Sequence, residues 1–538
     1  MSDGRLDRHP LESLGRGALI TFVGQLVLIG ATFGSRVLLV RSLSNAEYGE
    51  IALGLATVSM ISPFASLGIP YGVTRQMAHA KSSREKYDLA IASAKLLVPL
   101  SILAGVVLYF AAPAMGAYIH NPGMDLVLQY MSVYLTLAML SGLIGAIFQG
   151  EENMVPSTLF TMIVSPILLL VLLVGAFRTG ATLSGALLAY VLSTAGALVG
   201  LSLYAVRERR NLQDSSRLEV AEGSAPRDVT RELFLFSVTL TMLGVASVVT
   251  GNVEPLVLGY VTGSTGPVGT YSALLTISRL LLLGVGSLSF IALPVASRLH
   301  RTGNLAELGH SYATMIKWIL VFFVPLYALF VIFPSASINL VYGPVTNTAP
   351  YASAPTVLRI LATGTIAACF LGPAQSVLTG IGKLRLLFYD TITAAAVDVV
   401  GSFVFVPLWG IDGAALAFTL STITLPLLAV VQTGIYASVH PFRREVLQPF
   451  FTFWVIVFIG LALPAAIWHW HPGPVTLAGL FFVMMGLYLA LILATRSLVP
   501  EDRHLLGVLE GYLGRPIPPL RAVIRRFTRE PSTTDKHL

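Results

Sequence analysis

Long apolar windows recur along this chain with little interruption, and they limit what it can fold into. A bilayer core about 30 Å thick needs about 20 helical residues per crossing. Windows of that length lie at 17–40, 49–70, 90–113, 126–148, 155–177, 181–206, 233–260, 268–297, 311–333, 355–379, 386–408, 412–437, 449–470 and 473–495. The sequence therefore predicts an all-α polytopic membrane protein with about fourteen transmembrane helices.

The composition excludes an ordinary soluble protein. Apolar residues make up 55% of the 538 residues and charged residues only 11%, so lipid must cover much of the surface. The single cysteine, Cys369, lies in an apolar run, which excludes a disulfide framework and a thiolate metal site within one chain. The first apolar run is too long for a signal-peptide core, so we expect it to be a retained first span.

The basic residues indicate how the spans are oriented. Most of the 34 lysines and arginines fall in alternate loops, and the intervening loops hold only Arg41 and Arg178. Lysine and arginine collect on the cytoplasmic side of membrane proteins. We therefore predict a multi-pass protein of the cell membrane with both termini in the cytoplasm. The net charge of +7 is explained by this topology and by anionic lipid, so we expect no nucleic-acid partner.

An internal repeat divides the chain. Gly185–Thr194 (GALLAYVLST) and Gly413–Thr422 (GAALAFTLST) are identical at seven of ten positions, with an offset of 228 residues. Because six is an even number, two six-span copies share one orientation and are related by an axis along the membrane normal. The predicted organisation is an N-terminal six-helix lobe at 1–206, a cytoplasmic linker at 207–232, a C-terminal six-helix lobe at 233–437, two additional transmembrane helices at 438–495 and a basic cytoplasmic tail at 496–538.

Four short strings, in order along the chain, carry a family resemblance. They are VRSLSNAEYG at 40–49, GYVTGSTGPVGTY at 259–271, INLVYG at 338–343 and WGIDGAA at 409–415. Their order and spacing resemble the polysaccharide-flippase (Wzx-like) branch of the multidrug/oligosaccharidyl-lipid/polysaccharide superfamily. The chain departs from that pattern after the fourth span, where Glu151 and Glu152 replace an expected basic residue.

The resemblance implies a flippase that moves an oligosaccharide linked to a polyprenyl phosphate or pyrophosphate from the cytoplasmic to the outer leaflet by alternating access. The implied partners are this lipid-linked oligosaccharide, membrane lipids and the glycan-assembly machinery. We expect a monomer that uses no cofactor or metal. Gly380–Lys383 (GIGK) lacks the earlier glycine and the hydroxyl residue of a phosphate-binding loop, so ATP is not expected as a fuel.

Charged residues inside the predicted spans are the candidate site residues, since an ionisable group in mid-membrane calls for a function or a partner. The set is Arg36, Lys95, Arg279, Lys317, Arg359, Glu254, Asp390 and Asp398. Arg279 is the first choice for the lipid phosphate because a guanidinium binds phosphate oxygens in a bidentate manner. Alternatively, it is a structural arginine paired with a carboxylate such as Asp398.

The remaining candidates have alternatives as well. Arg36 is a second phosphate contact, a partner of Glu254 at an outer gate, or a side chain that snorkels to the interface. Glu254 and Asp398 are candidates for coupling or gating, although Asp398 could instead be protonated and merely hydrogen-bonded. Lys95 and Lys317 are expected to snorkel. Pro70 and Pro294, at matched repeat positions, are candidate hinges, and adventitious kinks are the alternative.

Two other functions make different demands on the sequence. A cation-coupled multidrug exporter of the same superfamily should place acidic rather than basic groups in its lumen, and five embedded cations against three acids favour the flippase. A glycan polymerase or ligase would be expected to carry a long catalytic external loop. The longest predicted external loop, 334–354, has no charged or histidine residue, so we expect no enzyme.

Overall fold

The computed structural model describes residues 10–80, 82–119, 121, 123–216, 229–282, 296–302, 304–343, 353–440, 442–468, 470–499 and 502. Within these ranges the regular structure is helical, and no strand is present. The predicted all-α class is confirmed for this part of the chain. The basic tail beyond residue 502 and the candidate hinge Pro294 lie outside the described residues.

The helices follow one another with short links. The first ten are α1 (Pro10–Ser42), α2 (Asn45–Ser66), α3 (Ile69–His79), α4 (Ser83–Tyr118), α5 (Gly123–Gly150), α6 (Met154–Arg178), α7 (Leu183–Ser216), α8 (Val229–Val249), α9 (Val253–Thr262) and α10 (Thr265–Ser278). A 3₁₀ turn, Arg279–Leu282, follows α10. The later helices are α11 (Leu305–Ile332), α12 (Pro334–Tyr342), α13 (Ala354–Leu371), α14 (Pro373–Gly380), α15 (Leu384–Ala437), α16 (Arg444–Ile467) and α17 (Pro474–Ala494).

Eleven helical stretches among the described residues are long and apolar enough to cross a bilayer. The chain is therefore a multi-pass membrane protein. One of the eleven, α15, is 54 residues long and is broken at Gly410, so each of its two arms is long enough to cross. Predicted spans seven and eight correspond to the shorter helices α8, α9 and α10. The count of fourteen and the layout of the repeat remain predictions.

Polar residues at the membrane surface start several helices. The Ser44 hydroxyl accepts a hydrogen bond from the Glu47 amide, and the Glu47 carboxylate accepts one from the Ser44 amide at 2.9 Å. This reciprocal capping box satisfies two of the amides that a helix start leaves without partners. Ser82 caps α4 and Asn304 caps α11 through the same kind of amide contact. Glu47 is thus part of a helix cap.

The chain forms two compact units, residues 1–273 and 274–538. In the first unit α5 packs against α4 and α7, and α8 packs against α2, α3 and α4. In the second, α13 packs against α15, while α11 packs against α16 and α17 around buried Ile316, Phe453 and Tyr488. The predicted lobes, separated by the 207–232 linker, divide the chain differently and stay a prediction.

Candidate functional site

Arg36 lies on α1 in the first unit, and its side chain is half-buried. Its positive charge is near enough to Tyr134 on α5 and Tyr190 on α7 to act on their hydroxyl groups electrostatically. The two tyrosine rings meet edge to face, with their centroids 6.0 Å apart. The arrangement offers a cation and aromatic surface together, a combination that can bind a phosphate and a sugar ring.

Arg279 begins the 3₁₀ turn after α10 and lies in the second unit. Its guanidinium carbon is 5.9 Å from the centroid of the Phe418 ring, within the range of a cation–π contact. Phe418 lies on the second arm of α15 and is only 3% exposed. Because α10 rises about 1.5 Å per residue, Arg279 is about 20 Å along the helix axis from Thr265.

Glu254 lies just after the break between helices α8 and α9. The break falls at residues 250–252, where Gly251 has a φ of 83°, a conformation that favours glycine. Glu254 follows in the first turn of α9 and is fully buried. A helix start favours a carboxylate, because the first backbone amides carry partial positive charge. Pro255 lies inside the first turn of α9, after the break.

Two aspartates are buried on the first arm of α15. Asp398 is fully buried and Asp390 is 3% exposed. The Asp390 carboxylate accepts a 2.7 Å hydrogen bond from the Gln432 amide on the second arm. Sequence reasoning missed Gln432, because its only signal was a polar residue inside an apolar run. The two arms of α15 are thus joined by a polar contact as well as by the chain.

Pro70 lies directly after a second helix break. Leu67 and Gly68 adopt left-handed conformations with φ values of 49° and 67°, and α3 begins at the next residue. The proline occupies the first turn of α3, where its missing amide hydrogen costs nothing. A Cβ added to Gly68 would lie 2.4 Å from the carbonyl oxygen of Ser237 on α8, so the break is packed closely against that helix. Its role as a hinge remains a prediction.

The prediction that Lys317 snorkels to the interface was wrong. The lysine is 1% exposed, and its Nζ lies 2.6 Å from the Asp502 carboxylate and 2.9 Å from the Ser497 carbonyl oxygen. The other carboxylate oxygen accepts from the Trp318 indole at 2.8 Å, and the Val499 amide also donates to Asp502 at 2.8 Å. We call these five residues the Lys317 clamp. It fastens the segment after α17 onto α11.

Two other embedded bases, Lys95 and Arg359, are exposed. The Arg359 guanidinium donates a hydrogen bond to the Val331 carbonyl oxygen at 2.8 Å. Among the described residues, no group of three histidine, cysteine or acidic side chains is placed to hold a metal ion. Arg36 and Arg279, by contrast with the two exposed bases, are half-buried.

Comparison with known proteins places the chain in a family. Residues 14–300, more than half of the chain, match the model of the family described as polysaccharide biosynthesis protein. An uncharacterized membrane protein of Methanocaldococcus jannaschii, MJ1068, is 23% identical over 190 residues, which are 35% of this chain. The match spans 36% of the length of that relative.

Solved structures show the same fold. The lipid II flippase MurJ in an inward closed conformation superposes with a TM-score of 0.62 at 13% identity, covering 88% of this chain and 97% of that one. An inward-facing multidrug resistance transporter of the MATE family superposes with a TM-score of 0.60 at 16% identity, covering 77% and 94%. A transporter from Pyrococcus furiosus, described as having a binding pocket of reversed polarity, gives 0.52 at 16%, covering 80% and 96%.

At these identities the superpositions establish the fold, which is that of transporters of the multidrug/oligosaccharidyl-lipid/polysaccharide superfamily. The family match is independent of them and extends from α1 to the region after α10. The resemblance predicted from the four strings is confirmed, and the chain belongs to the polysaccharide biosynthesis protein family.

Proposed function

We propose that the protein is a flippase for an oligosaccharide linked to a polyprenyl phosphate or pyrophosphate, which it moves from the cytoplasmic to the outer leaflet by alternating access. Arg279 and Arg36 bind the phosphate. The family match and the likeness to a protein described as a lipid II flippase support this assignment. Under this proposal both termini lie in the cytoplasm.

The observation that carries the proposal is the difference in accessibility between the two candidate arginines and the two candidate acids. Arg36 and Arg279 are half-buried, whereas Glu254 and Asp398 are fully buried. A substrate that enters a cavity can reach only groups that keep some accessible surface. The reachable charge is therefore cationic, which suits a phosphate rather than a cationic drug.

Glu254 and Asp398 have the placement expected of coupling groups. A fully buried carboxylate is costly to ionise, so its protonation can respond to a change in its surroundings. Glu254 lies in the first turn of α9, where a small change of backbone angle would alter its position relative to the partial positive charge of the helix start. We propose that it couples transport to a proton or another cation. Glu254→Gln should then lower transport while leaving membrane abundance unchanged.

The deciding experiment is surface-glycan complementation, measured beside the abundance of the protein in the membrane. Arg279→Ala should abolish transport at nearly normal abundance, because both the positive charge and the two guanidinium donors that bind the phosphate are lost. Arg279→Lys should retain part of the activity, since only the bidentate geometry is lost. Arg359→Ala is the matched control, because that arginine is exposed and contacts a backbone carbonyl, and it should transport normally.

A structural ion pair between Arg279 and Asp398 would behave differently. Removing the arginine would then leave a buried carboxylate, abundance would fall together with activity, and Asp398→Asn would rescue the defect. Rescue of that kind, or full complementation by Arg279→Ala, would remove the phosphate assignment.

A multidrug exporter is the second candidate, favoured by the superposition on a MATE transporter and by the buried acids. It predicts that cells carrying the protein tolerate higher concentrations of cationic drugs, and that Glu254→Gln abolishes the tolerance. The flippase proposal predicts no change in tolerance.

A further inference from the structure

The starts of α2 and α10 approach so closely that their backbones touch. A Cβ added to Gly49 would lie 1.8 Å from the Thr265 carbonyl oxygen, and a Cβ added to Gly269 would lie 2.1 Å from the Asn45 carbonyl oxygen. No real Cβ contact is that short, so one methyl group at either glycine would force the helices apart. We call the contact formed by Asn45, Gly49, Thr265 and Gly269 the outer crossing.

The outer crossing joins positions that correspond in the two predicted repeats. Asn45 corresponds to Thr265 and Gly49 to Gly269, both at an offset of 220 residues, close to the 228 residues that separate the copies of the repeat. The contacts are symmetric as well, since each added Cβ would lie 2.9–3.0 Å from the amide nitrogen of the opposite glycine. Equivalent positions of the two predicted repeats therefore touch each other, at the axis that would relate them.

A third loop connects the two helix starts through Asn121. Its side-chain nitrogen donates to the Glu50 carboxylate at 2.8 Å and to the Thr265 hydroxyl at 3.0 Å, and its oxygen accepts from the Gly123 amide at 2.8 Å. Glu50 and Thr265 are buried, with 7% and 1% of their surface exposed. The side-chain amide of Asn45 donates a longer hydrogen bond, 3.4 Å, to the Thr270 hydroxyl.

All three of these loops belong to one side of the membrane. The links from α1 to α2, from α4 to α5 and from α9 to α10 each follow an odd number of predicted crossings, which is the external side when the amino terminus is inside. The contacts consist of backbone approach and hydrogen bonds that water can replace when the helices part.

We propose that the outer crossing is the external gate of the transporter, with Gly49 and Gly269 as the closing surface and Asn121 as the residue that holds it shut. This rests on the proposed alternating-access function. In the conformation described here the gate is closed, and release of substrate to the outer leaflet requires α2 and α10 to separate. Asn121 acts on Glu50 and Thr265 rather than on substrate, so it is a positioning residue.

The first test locks the gate. In a Cys369→Ala background, Asn45→Cys and Thr270→Cys are joined in membranes by oxidation or by a short bifunctional methanethiosulfonate reagent. Transport should fall to background when the pair is linked and should return after dithiothreitol. The control pair is Gly105→Cys with Thr136→Cys, whose Cβ atoms would be 3.6 Å apart between α4 and α5, within disulfide reach. Both helices belong to one lobe, so this link should leave transport unchanged.

The second test needs no substrate. Thr57→Cys places a thiol two turns deeper on α2, at a position that is 4% exposed. Gly49→Ala should raise the rate at which an impermeant methanethiosulfonate reagent added outside modifies this thiol, by roughly tenfold for a gate shifted about 1.4 kcal/mol towards opening. Gly142→Ala is the control, because a Cβ there has no neighbour within 4 Å.

The possible outcomes distinguish failure of the proposed gate from failure of the proposed function. Normal transport by the linked Asn45→Cys/Thr270→Cys protein would overturn the gate and make the outer crossing a fixed contact. If no lipid-linked oligosaccharide is transported at all, the proposed function is wrong, but the rate of thiol modification at residue 57 still tests the gate. An unchanged modification rate in Gly49→Ala, at normal abundance, would overturn the gate on its own.

Discussion

The outer crossing and the Lys317 clamp join distant parts of the chain by opposite means. The outer crossing consists of glycines and uncharged polar residues at the starts of two helices, and Asn121 connects it to one neighbouring ionisable group, Glu50. The Lys317 clamp uses a fully desolvated ion pair with three further hydrogen bonds. Taking one partner from a buried ion pair strands a charge, whereas separated hydrogen-bonding groups at a membrane surface regain water. The comparison indicates that the outer crossing can open at low cost, whereas the Lys317 clamp stays closed.

The largest effect should come from breaking the clamp. Asp502→Ala leaves the Lys317 ammonium buried without its counter-charge, which should cost about 3–5 kcal/mol and lower both Tm and membrane abundance. The measurement is thermal denaturation of the full chain in detergent beside quantified membrane protein. Lys95→Met, on an exposed lysine of another span, should leave both values unchanged.

The double variant Lys317→Met/Asp502→Leu sharpens this prediction. Apolar residues of similar volume remove both charges together, so most of the lost Tm should return. A wild-type Tm for Asp502→Ala would show that the clamp does not stabilise the fold, and the contrast with the outer crossing would disappear.

A smaller loss of stability is expected at the outer crossing. Gly269→Ala introduces a methyl group against backbone and should cost about 1–3 kcal/mol, less than Asp502→Ala, because the two helices can part instead of unfolding. Gly434→Ala, where a Cβ has no neighbour within 4 Å, is the matched control and should have no adverse effect on Tm. A Tm loss for Gly269→Ala as large as that for Asp502→Ala would identify the crossing as a permanent contact.

The smallest effects should come from the side chains that hold the crossing. Asn121→Ala removes hydrogen bonds to Glu50 and Thr265 and should lower stability by about 1 kcal/mol. Asn45→Ala should cost less, because its contact with Thr270 is long at 3.4 Å. The order of the two Tm values tests whether Asn121 is the main holding residue, and a larger effect for Asn45→Ala would reverse that assignment.

The difference between the two regions also explains what the sequence could predict. Apolar windows predicted the long helices well, because a helix inside lipid satisfies its backbone without help from distant residues. Gly49 and Gly269 fell inside strings that the sequence singled out, although nothing in those strings indicated that they touch. Such a contact depends on how two helices cross, and no local pattern encodes that angle.

The clamp shows the opposite case. Lys317 was identified as an embedded charge, but its partner Asp502 lies 185 residues away and outside every apolar window. A lysine near a span end usually snorkels, so the general rule gave the wrong answer. Asn121 was missed for the same reason, because it joins residues 71 and 144 positions away. Polar groups in loops acquire their role only when the fold brings them to a buried partner.

The turn at Gly410 has a consequence for how the protein is made. With φ at 56° and ψ at −124°, a glycine joins the two arms of α15 with no extended connection between them. A Cβ added to Gly413 would lie 2.0 Å from the Phe405 carbonyl oxygen, so the arms meet immediately. Because the connection between the arms has almost no free length, we expect the two arms to enter the bilayer together, as one helical hairpin.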